Sequence, residues 1–512
     1  MNTKSRLGYA TQNAAWGILQ NIVVQILRFI SRTVFIYTIG ITYLGINGLF
    51  SNILGFLSFA ELGIGSAINF SLYEPLATNN IEKIKTIMRV YKKAYHMIAL
   101  IIGASGLALI PFLPHIIKDA DGIKNIEVYY LIALFNTVSS YFISYKTSLI
   151  AADQKGYMIT RITIVFQIII TFVQIVVLLV WRSYIGYLLV NTVIPIFEKL
   201  IDNFYINKKY PYLLEKKIFP LDKEEKGTII RNVKGLVFHQ VGTVCVTQTD
   251  SIIISAFISV VLVGIVSNYS LIISTITGLV SVVFTGMQAG FGNVVATESV
   301  DKSEDIFLKC SFLAFMLYGF CFVELLFLLT PAIRIWIGNE QTISPFVVLL
   351  LCFSMFITGL RKPFDVMKSA AGVFYQDRWV PIVESAVNLI VSIIGVMLWG
   401  LPGVYIGTIC SSVVWIIARP IVVYKCIFKK SSTSYFKKYV SQLIFIFSVI
   451  LILHISLQLI IITNKWLEII VYALLIAIIY AIMFALVYRK NRYLIYYCKL
   501  LKRCLNRKKS IR

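Results

Sequence analysis

AAWGILQNIVVQILRFISRTVFIYTI, residues Ala14–Ile39, is an uninterrupted stretch of 26 residues that is apolar except for one polar stripe. It exceeds the ~20 residues that a helix needs to cross the hydrocarbon of a bilayer. Lys4 and Arg6 precede it and no small-residue cleavage site follows, so it is expected to stay in the chain as a helix.

Thirteen further apolar stretches follow: Ile46–Phe70, Ala94–Ile117, Val128–Ile150, Ile162–Trp181, Tyr184–Tyr205, Val233–Phe257, Val260–Val283, Phe307–Pro331, Pro345–Arg361, Trp379–Trp399, Gly403–Tyr424, Val440–Ile462 and Trp466–Tyr488. The expected fold class is therefore all-α, a polytopic membrane protein of about 14 transmembrane helices. An even count puts both termini on one side.

The basic residues choose that side. With the termini in the cytoplasm, only Lys118, Lys124, Arg182, Arg334 and Lys465 lie in outward gaps, and Arg28 and Arg32 lie inside the first span. The remaining 41 of the 48 lysines and arginines then face inward, as the positive-inside rule requires. The net charge of +24 thus marks topology rather than nucleic-acid binding. A bacterial inner membrane is the expected location.

The longest polar connection, Asn207–Arg231, is too short for a soluble domain with its own core. The eight cysteines are scattered without metal-ligand spacing and read as small apolar residues. No phosphate-binding loop, nucleophile elbow, zinc cluster or kinase set is present, so no enzyme activity or cofactor is expected.

Sliding the chain by 219 positions places Asn13 on Asn232, Gly45 on Gly264, Ser51 on Ser270, Ile53 on Ile272 and Ala151 on Ala370. A shift of 221 places Tyr184-Ile185-Gly186 on Tyr405-Ile406-Gly407. Six spans in each half give two parallel six-helix bundles, one of the known transporter plans. The expected division is 1–206, a cytoplasmic linker 207–231, a second bundle 232–427, two additional helices in 428–488 and a basic cytoplasmic tail 489–512. Ile81–Lys92 and the tail alternate apolar and basic residues, and read as helices lying on an anionic leaflet.

Within the first span, Asn21, Gln25, Arg28 and Arg32 are spaced four, three and four apart and share one helix face, while Val23, Ile26 and Ile30 face away. A charge at mid-membrane costs about 2.5–3.5 kcal/mol on insertion scales, so the arginines need a reason. One is to bind a phosphate or diphosphate through forked guanidinium donors. The other is to hold helices together. Arg32, nearer the outer surface, has the option of snorkelling outward.

The seventh span carries a second stripe, Gln240, Thr243, Thr247 and Asp250, and the 219 shift lays Gln240 on Asn21 and Thr247 on Arg28. Packed as the repeat suggests, the two stripes would line one central cavity. Arg28, Arg32, Asn21, Gln25, Gln240 and Thr247 are the candidate substrate-binding residues. Asp250, Glu61 and Glu324 are the candidate ion-coupling residues, for H+ or Na+.

Tyr43-Leu44-Gly45-Ile46-Asn47-Gly48-Leu49-Phe50, Phe59-Ala60-Glu61-Leu62-Gly63-Ile64-Gly65, Ala151-Ala152-Asp153-Gln154 and Asp250-Ser251-Ile252-Ile253 with Val263-Gly264-Ile265 carry a resemblance. In their order, the chain resembles the polysaccharide transporter family, the Wzx-type lipid-linked oligosaccharide flippases of the multidrug/oligosaccharidyl-lipid/polysaccharide exporter superfamily. The resemblance implies two bundles that alternate between inward-open and outward-open states. It also implies a polyprenyl-diphosphate-linked oligosaccharide as substrate, membrane lipids as surroundings, and the glycosyltransferases and polymerase of the same pathway as partners. A peptidoglycan-precursor flippase and a multidrug extruder share the architecture, although a cationic cavity repels cationic drugs. A membrane glycosyltransferase or polymerase, or an assembly scaffold, is the alternative of a different class.

Overall fold

The computed structural model describes residues 6–61, 64–120, 123–215, 227, 242, 244–373, 376–460 and 462–509. The protein is an all-helical polytopic membrane protein, with no strand among the described residues. The longer helices are α1 (Arg6–Ile39), α2 (Ile41–Leu57), α3 (Ile64–Ala77), α4 (Ile81–Leu109), α5 (Ile126–Ser144), α6 (Tyr157–Trp181), α7 (Tyr184–Lys209), α8 (Val244–Phe257), α9 (Val260–Thr297), α10 (Val300–Ile337), α11 (Pro345–Ala371), α12 (Val380–Trp399), α13 (Leu401–Val423), α14 (Thr433–Gln458), α15 (Lys465–Tyr488) and α16 (Arg492–Lys509).

Among the described residues, 11 helices are long and apolar enough to cross a membrane, and α2 and α8 are apolar but shorter. Helix occupies most of the described part of each of the fourteen apolar stretches; Val128–Ile150 is interrupted by a turn at Tyr145–Lys146, and two further departures from the sequence reading bear on the site. The stretch Ile46–Phe70 is not one helix. Helix α2 ends at Leu57, passes into a 3-10 turn over Ser58–Glu61, and α3 starts at Ile64. The break is fixed by Glu61, whose Oε1 accepts a 2.5 Å hydrogen bond from Tyr95 Oη on α4. Gly65 lies so close that a Cβ there would meet that oxygen at 3.0 Å.

Ile81–Lys92 is not a separate amphipathic helix. It is the first part of α4, started by Asn80, whose side chain accepts from Lys83 N at 3.0 Å. Nothing between Lys92 and Ala94 breaks a helix, so the amphipathic turns run straight into the apolar span. Ile84, Met88 and Tyr91 are buried in the core, and Lys85 is fixed to Glu215 at 2.7 Å.

Helices α9 and α10 each have 38 residues. At 1.5 Å per residue each is about 57 Å long, well beyond the ~30 Å of hydrocarbon, and the excess lies at their shared polar junction 297–300.

The chain forms two compact units, 1–267 with 381–407 and 268–380 with 408–512. The core of the first is a cluster of buried apolar side chains on α2, α4 and α5, including Ile46, Leu49, Phe50, Ile102 and Tyr130. In the second, Phe312, Phe315, Phe445, Phe484 and Tyr480 interleave α10, α14 and α15. The two C-terminal helices are thus tied to α10 by aromatic packing.

Candidate functional site

The rotation of α1 is set by α6. Asn13 Nδ2 donates to Gln154 O at 2.8 Å, and its Oδ1 accepts from Tyr157 N at 2.7 Å. One turn on, the Arg161 guanidinium stacks over Trp16 at 4.5 Å. Further along, Ser31 Oγ donates to Gln174 Oε1 at 3.2 Å, and Gln174 Nε2 donates to Asn191 Oδ1 at 2.9 Å. These contacts bury the Ser31 and Phe35 side of α1.

With that side fixed, Asn21, Gln25, Arg28 and Arg32 occupy an arc of about 60° at 100° per residue. The stripe borders the buried side on one edge. On the other edge are Ile22, Ile26 and Ile30, all exposed. Val23 is only half-buried, so the exposed apolar surface of α1 adjoins the polar stripe. Asn21, Gln25 and Arg32 are half-buried, and Arg28 is exposed.

Arg32 does not snorkel. Its Nη1 donates to Ser267 O at 2.8 Å and to Ser267 Oγ at 3.0 Å, both on α9. Arg32 lies seven residues before the outer end of α1 and Ser267 seven residues after the outer start of α9, about 10 Å in from each. The bond therefore joins two helices at equal depth. Arg32 meets a serine and a main-chain carbonyl, while Arg28 keeps its head group at the surface of the unit.

Beside this bond α2 and α9 cross with backbones in contact. A Cβ on Gly45 would stand 2.0 Å from Val260 O, and one on Gly264 would stand 2.5 Å from Ile41 O. The 219 shift turns Ile41 into Val260 and Gly45 into Gly264, so the contact is its own mirror under the repeat. Such an isologous contact is the mark of a local twofold axis. Asn52 Nδ2 donates to Gly48 O at 2.8 Å and to Ser251 Oγ at 3.2 Å. The pair Ser251 and Gly48 is the repeat image of Arg32 and Ser267.

Helix α8 uses much of its polar surface in packing. Gln248 lies against Gly55, Thr249 Oγ1 donates to Asn388 Oδ1 at 3.3 Å, and Ser385 Oγ donates to Gly242 O at 3.1 Å. Glu384 and Asn388 are buried on the α12 side of this contact. Thr247 is exposed, and Asp250 is half-buried within electrostatic range of the buried Tyr405. Gln240 and Thr243 lie outside the described residues. The α1 and α8 stripes thus belong to one compact unit.

The other two candidate acids are placed differently. Glu61 sits among tyrosines: Tyr95 donates to it, Tyr91 Oη lies 3.0 Å from Tyr95 Oη, and Tyr91 Oη lies 2.9 Å from Ser148 Oγ. The hydrogen bond ties Glu61 to α4 beside the α2–α3 break. Glu324 is on α10 in the second unit, half-buried, and its Oε2 is enclosed with no hydrogen-bond partner.

A charged network that the sequence reading missed lies at the inner end of the second unit. Lys368 pairs with Asp377, and Arg419 pairs with Asp365. Arg419 Nε is 3.8 Å from Asp377, Arg361 Nε is 3.6 Å from Asp365, and the Arg361 guanidinium lies 5.5 Å over Trp415. Lys368, Asp377 and Arg419 are all buried. The spacing of Arg361, Asp365 and Lys368, four and three, was the available signal. The first unit has a counterpart on α7, where Glu198 accepts from Thr163 at 2.8 Å and Lys199 reaches Asp202 at 3.3 Å. A shift of 221 lays Glu198 on Arg419.

No family model matches the chain. No curated protein matches it by sequence. Solved structures do match it. The lipid II flippase MurJ, in an inward closed conformation, has a TM-score of 0.61 and 15% identity over 92% of this chain and 99% of its own. A MATE transporter of Vibrio cholerae, VcmN, has a TM-score of 0.60 and 12% identity over 83% and 99%. An inward-facing multidrug resistance MATE transporter of the MOP superfamily has a TM-score of 0.56 and 13% identity over 80% and 98%. The chain therefore has the fold shared by these MOP-superfamily transporters.

Proposed function

We propose that the protein is a flippase that carries a polyprenyl-diphosphate-linked oligosaccharide from the cytoplasmic to the outer leaflet by alternating access. The product would feed polysaccharide synthesis, with cytoplasmic glycosyltransferases supplying the substrate and an outer-leaflet polymerase consuming it. The observation that carries the reading is the exposed Arg28 on a polar stripe of a membrane-spanning helix. A cation kept at the surface of such a helix needs either water or an anion. A diphosphate supplies two anionic groups for its forked donors. Asn21 and Gln25 extend the stripe with amide donors for sugar hydroxyls, and the prenyl tail stays in lipid. We assign Thr247 to the opposite wall, keep Gln240, which lies outside the described residues, as a binding candidate of the sequence alone, and assign Asp250, Glu61 and Glu324 to H+ or Na+ coupling.

The MurJ likeness favours a second reading, a peptidoglycan-precursor flippase. It leaves only 8% of this chain unmatched, about 41 residues, so it reaches into the 85 residues of 428–512. The VcmN likeness leaves 17%, about 87 residues, enough to omit that segment whole. Both readings use the same cavity chemistry and differ in the sugars.

The test is the sidedness of lipid-linked oligosaccharide in cells carrying wild type, Arg28→Lys or Arg28→Ala at matched protein levels. Charge-assisted hydrogen bonds are worth about 1.5–3 kcal/mol, so Arg28→Ala should slow transfer roughly 10- to 100-fold, with Arg28→Lys between. Equal export by all three removes Arg28 from the site. Rescue of a peptidoglycan-precursor defect, with oligosaccharide sidedness unchanged on deletion, selects the second reading.

A further inference from the structure

In the second unit, at the inner end of α14 and α15, a cavity of about 350 Å³ opens between these helices, α10 and α11. Its wall has two chemistries. Leu308, Phe312 and Leu360 make one side apolar, and Lys437 and Lys438 stand exposed on the other. Between them lie Ser311 and Tyr488, whose hydroxyl oxygens are enclosed in the packing rather than open to the cavity.

The charges around the cavity agree. The nearby acids are already engaged: Asp301 and Glu304 with Lys430, and Asp305 with Lys309 and Arg492. Among the described residues no carboxylate stands within ion-pair distance of Lys437 or Lys438. Two lysines without a direct ion pair, one of them also in electrostatic range of Arg492 and Glu304, stand over an apolar floor on the side that the positive-inside rule assigns to the cytoplasm, and match a phosphodiester whose acyl chains remain in the bilayer.

We propose that this cavity is a binding site for an anionic phospholipid of the cytoplasmic leaflet. Lys437 and Lys438 hold the phosphodiester, and the apolar wall receives the start of a chain. The site is separate from the α1 stripe, and its test does not depend on what the protein transports.

The test is native mass spectrometry of the purified full chain in neutral detergent, titrated with phosphatidylglycerol, phosphatidylcholine or glycerol 3-phosphate. Juxtamembrane lysines contribute about fivefold each, so Lys437→Gln with Lys438→Gln should weaken phosphatidylglycerol binding roughly 30-fold. Lys437→Arg with Lys438→Arg should retain it. Ser441→Trp, at the exposed rim, should block binding with both lysines in place, and decides the question if the glutamine variant fails to fold. Equal binding of phosphatidylcholine, or unchanged phosphatidylglycerol binding by the glutamine and tryptophan variants, overturns the proposal. Binding of glycerol 3-phosphate as tight as that of the lipid overturns it in favour of a soluble phosphate ligand.

Discussion

Arg28 and Arg32 are four residues apart on one helix, yet the structure gives them different work. Arg32 joins α1 to α9 through Ser267, and Arg28 stays exposed. Their shared face was legible because helical spacing puts them there whatever the rest of the chain does. The partner of Arg32 was not, because Ser267 lies 235 residues away and is one serine among many. The same limit hid the network of Lys368, Asp377 and Arg419, in which a helix, a connection and a second helix meet. Two similar substitutions should therefore behave differently. Asp377→Asn leaves the buried Lys368 without its paired anion and Arg419 with Asp365 alone, and should destabilise the protein by about 3–5 kcal/mol. Glu324→Gln replaces a carboxyl whose Oε2 has no partner, and should change stability by less than about 1 kcal/mol. Thermal unfolding in detergent reads both, and equal shifts in Tm would show that the network is not the stronger constraint.

At the scale of elements, apolar length predicted where helices run and not where they stop. The stretch Ile46–Phe70 divides because Glu61 is held by Tyr95, a contact between helices that hydropathy does not register. The amphipathic turns at Ile81–Lys92 pointed to a surface helix, but no breaker separates them from the next span. Glycine carried more information. The repeat aligned Gly45 with Gly264, and the structure sets these two against each other's helices, backbone to backbone. Gly48 is close by, with its Cβ position 3.8 Å from a methyl of Val263. Cysteines introduced by Gly48→Cys and Val263→Cys should therefore form a disulfide under mild oxidation. In that background Gly45→Leu should cut the yield, because overpacking costs about 1–3 kcal/mol, or about 5- to 100-fold in the closed population. Undiminished cross-linking would mean that the helices slide past the added side chain. A disulfide that leaves transport intact would show that this crossing never opens.

For the whole molecule, one arrangement of charge sets the topology, and the self-complementary contact at Gly45 and Gly264 agrees with it. A local twofold relating Ile41 to Val260 and Gly45 to Gly264 is compatible with halves that run the same way through the bilayer, its axis then lying along the membrane normal, as six spans per half imply. Positive-inside counting then fixes which ends face the cytoplasm, and every proposal above depends on that choice. The cavity with Lys437 and Lys438 meets the cytoplasmic leaflet only if the α13–α14 connection is inward. Transfer to the outer leaflet is the productive direction only if substrate is made on that same side. Labelling of single cysteines by a membrane-impermeant maleimide tests the choice directly. All eight native cysteines, of which Cys410, Cys426 and Cys498 are exposed and free, must first be replaced by serine. In that background Lys124→Cys and Glu340→Cys should react in intact cells. Glu82→Cys and Ser431→Cys should react only after permeabilisation, since their connections carry the inward excess of lysine and arginine. Reversal at all four positions would invert the protein and place the lysine cavity at the outer leaflet. Mixed labelling within one position would mean that the charge difference does not select a single orientation.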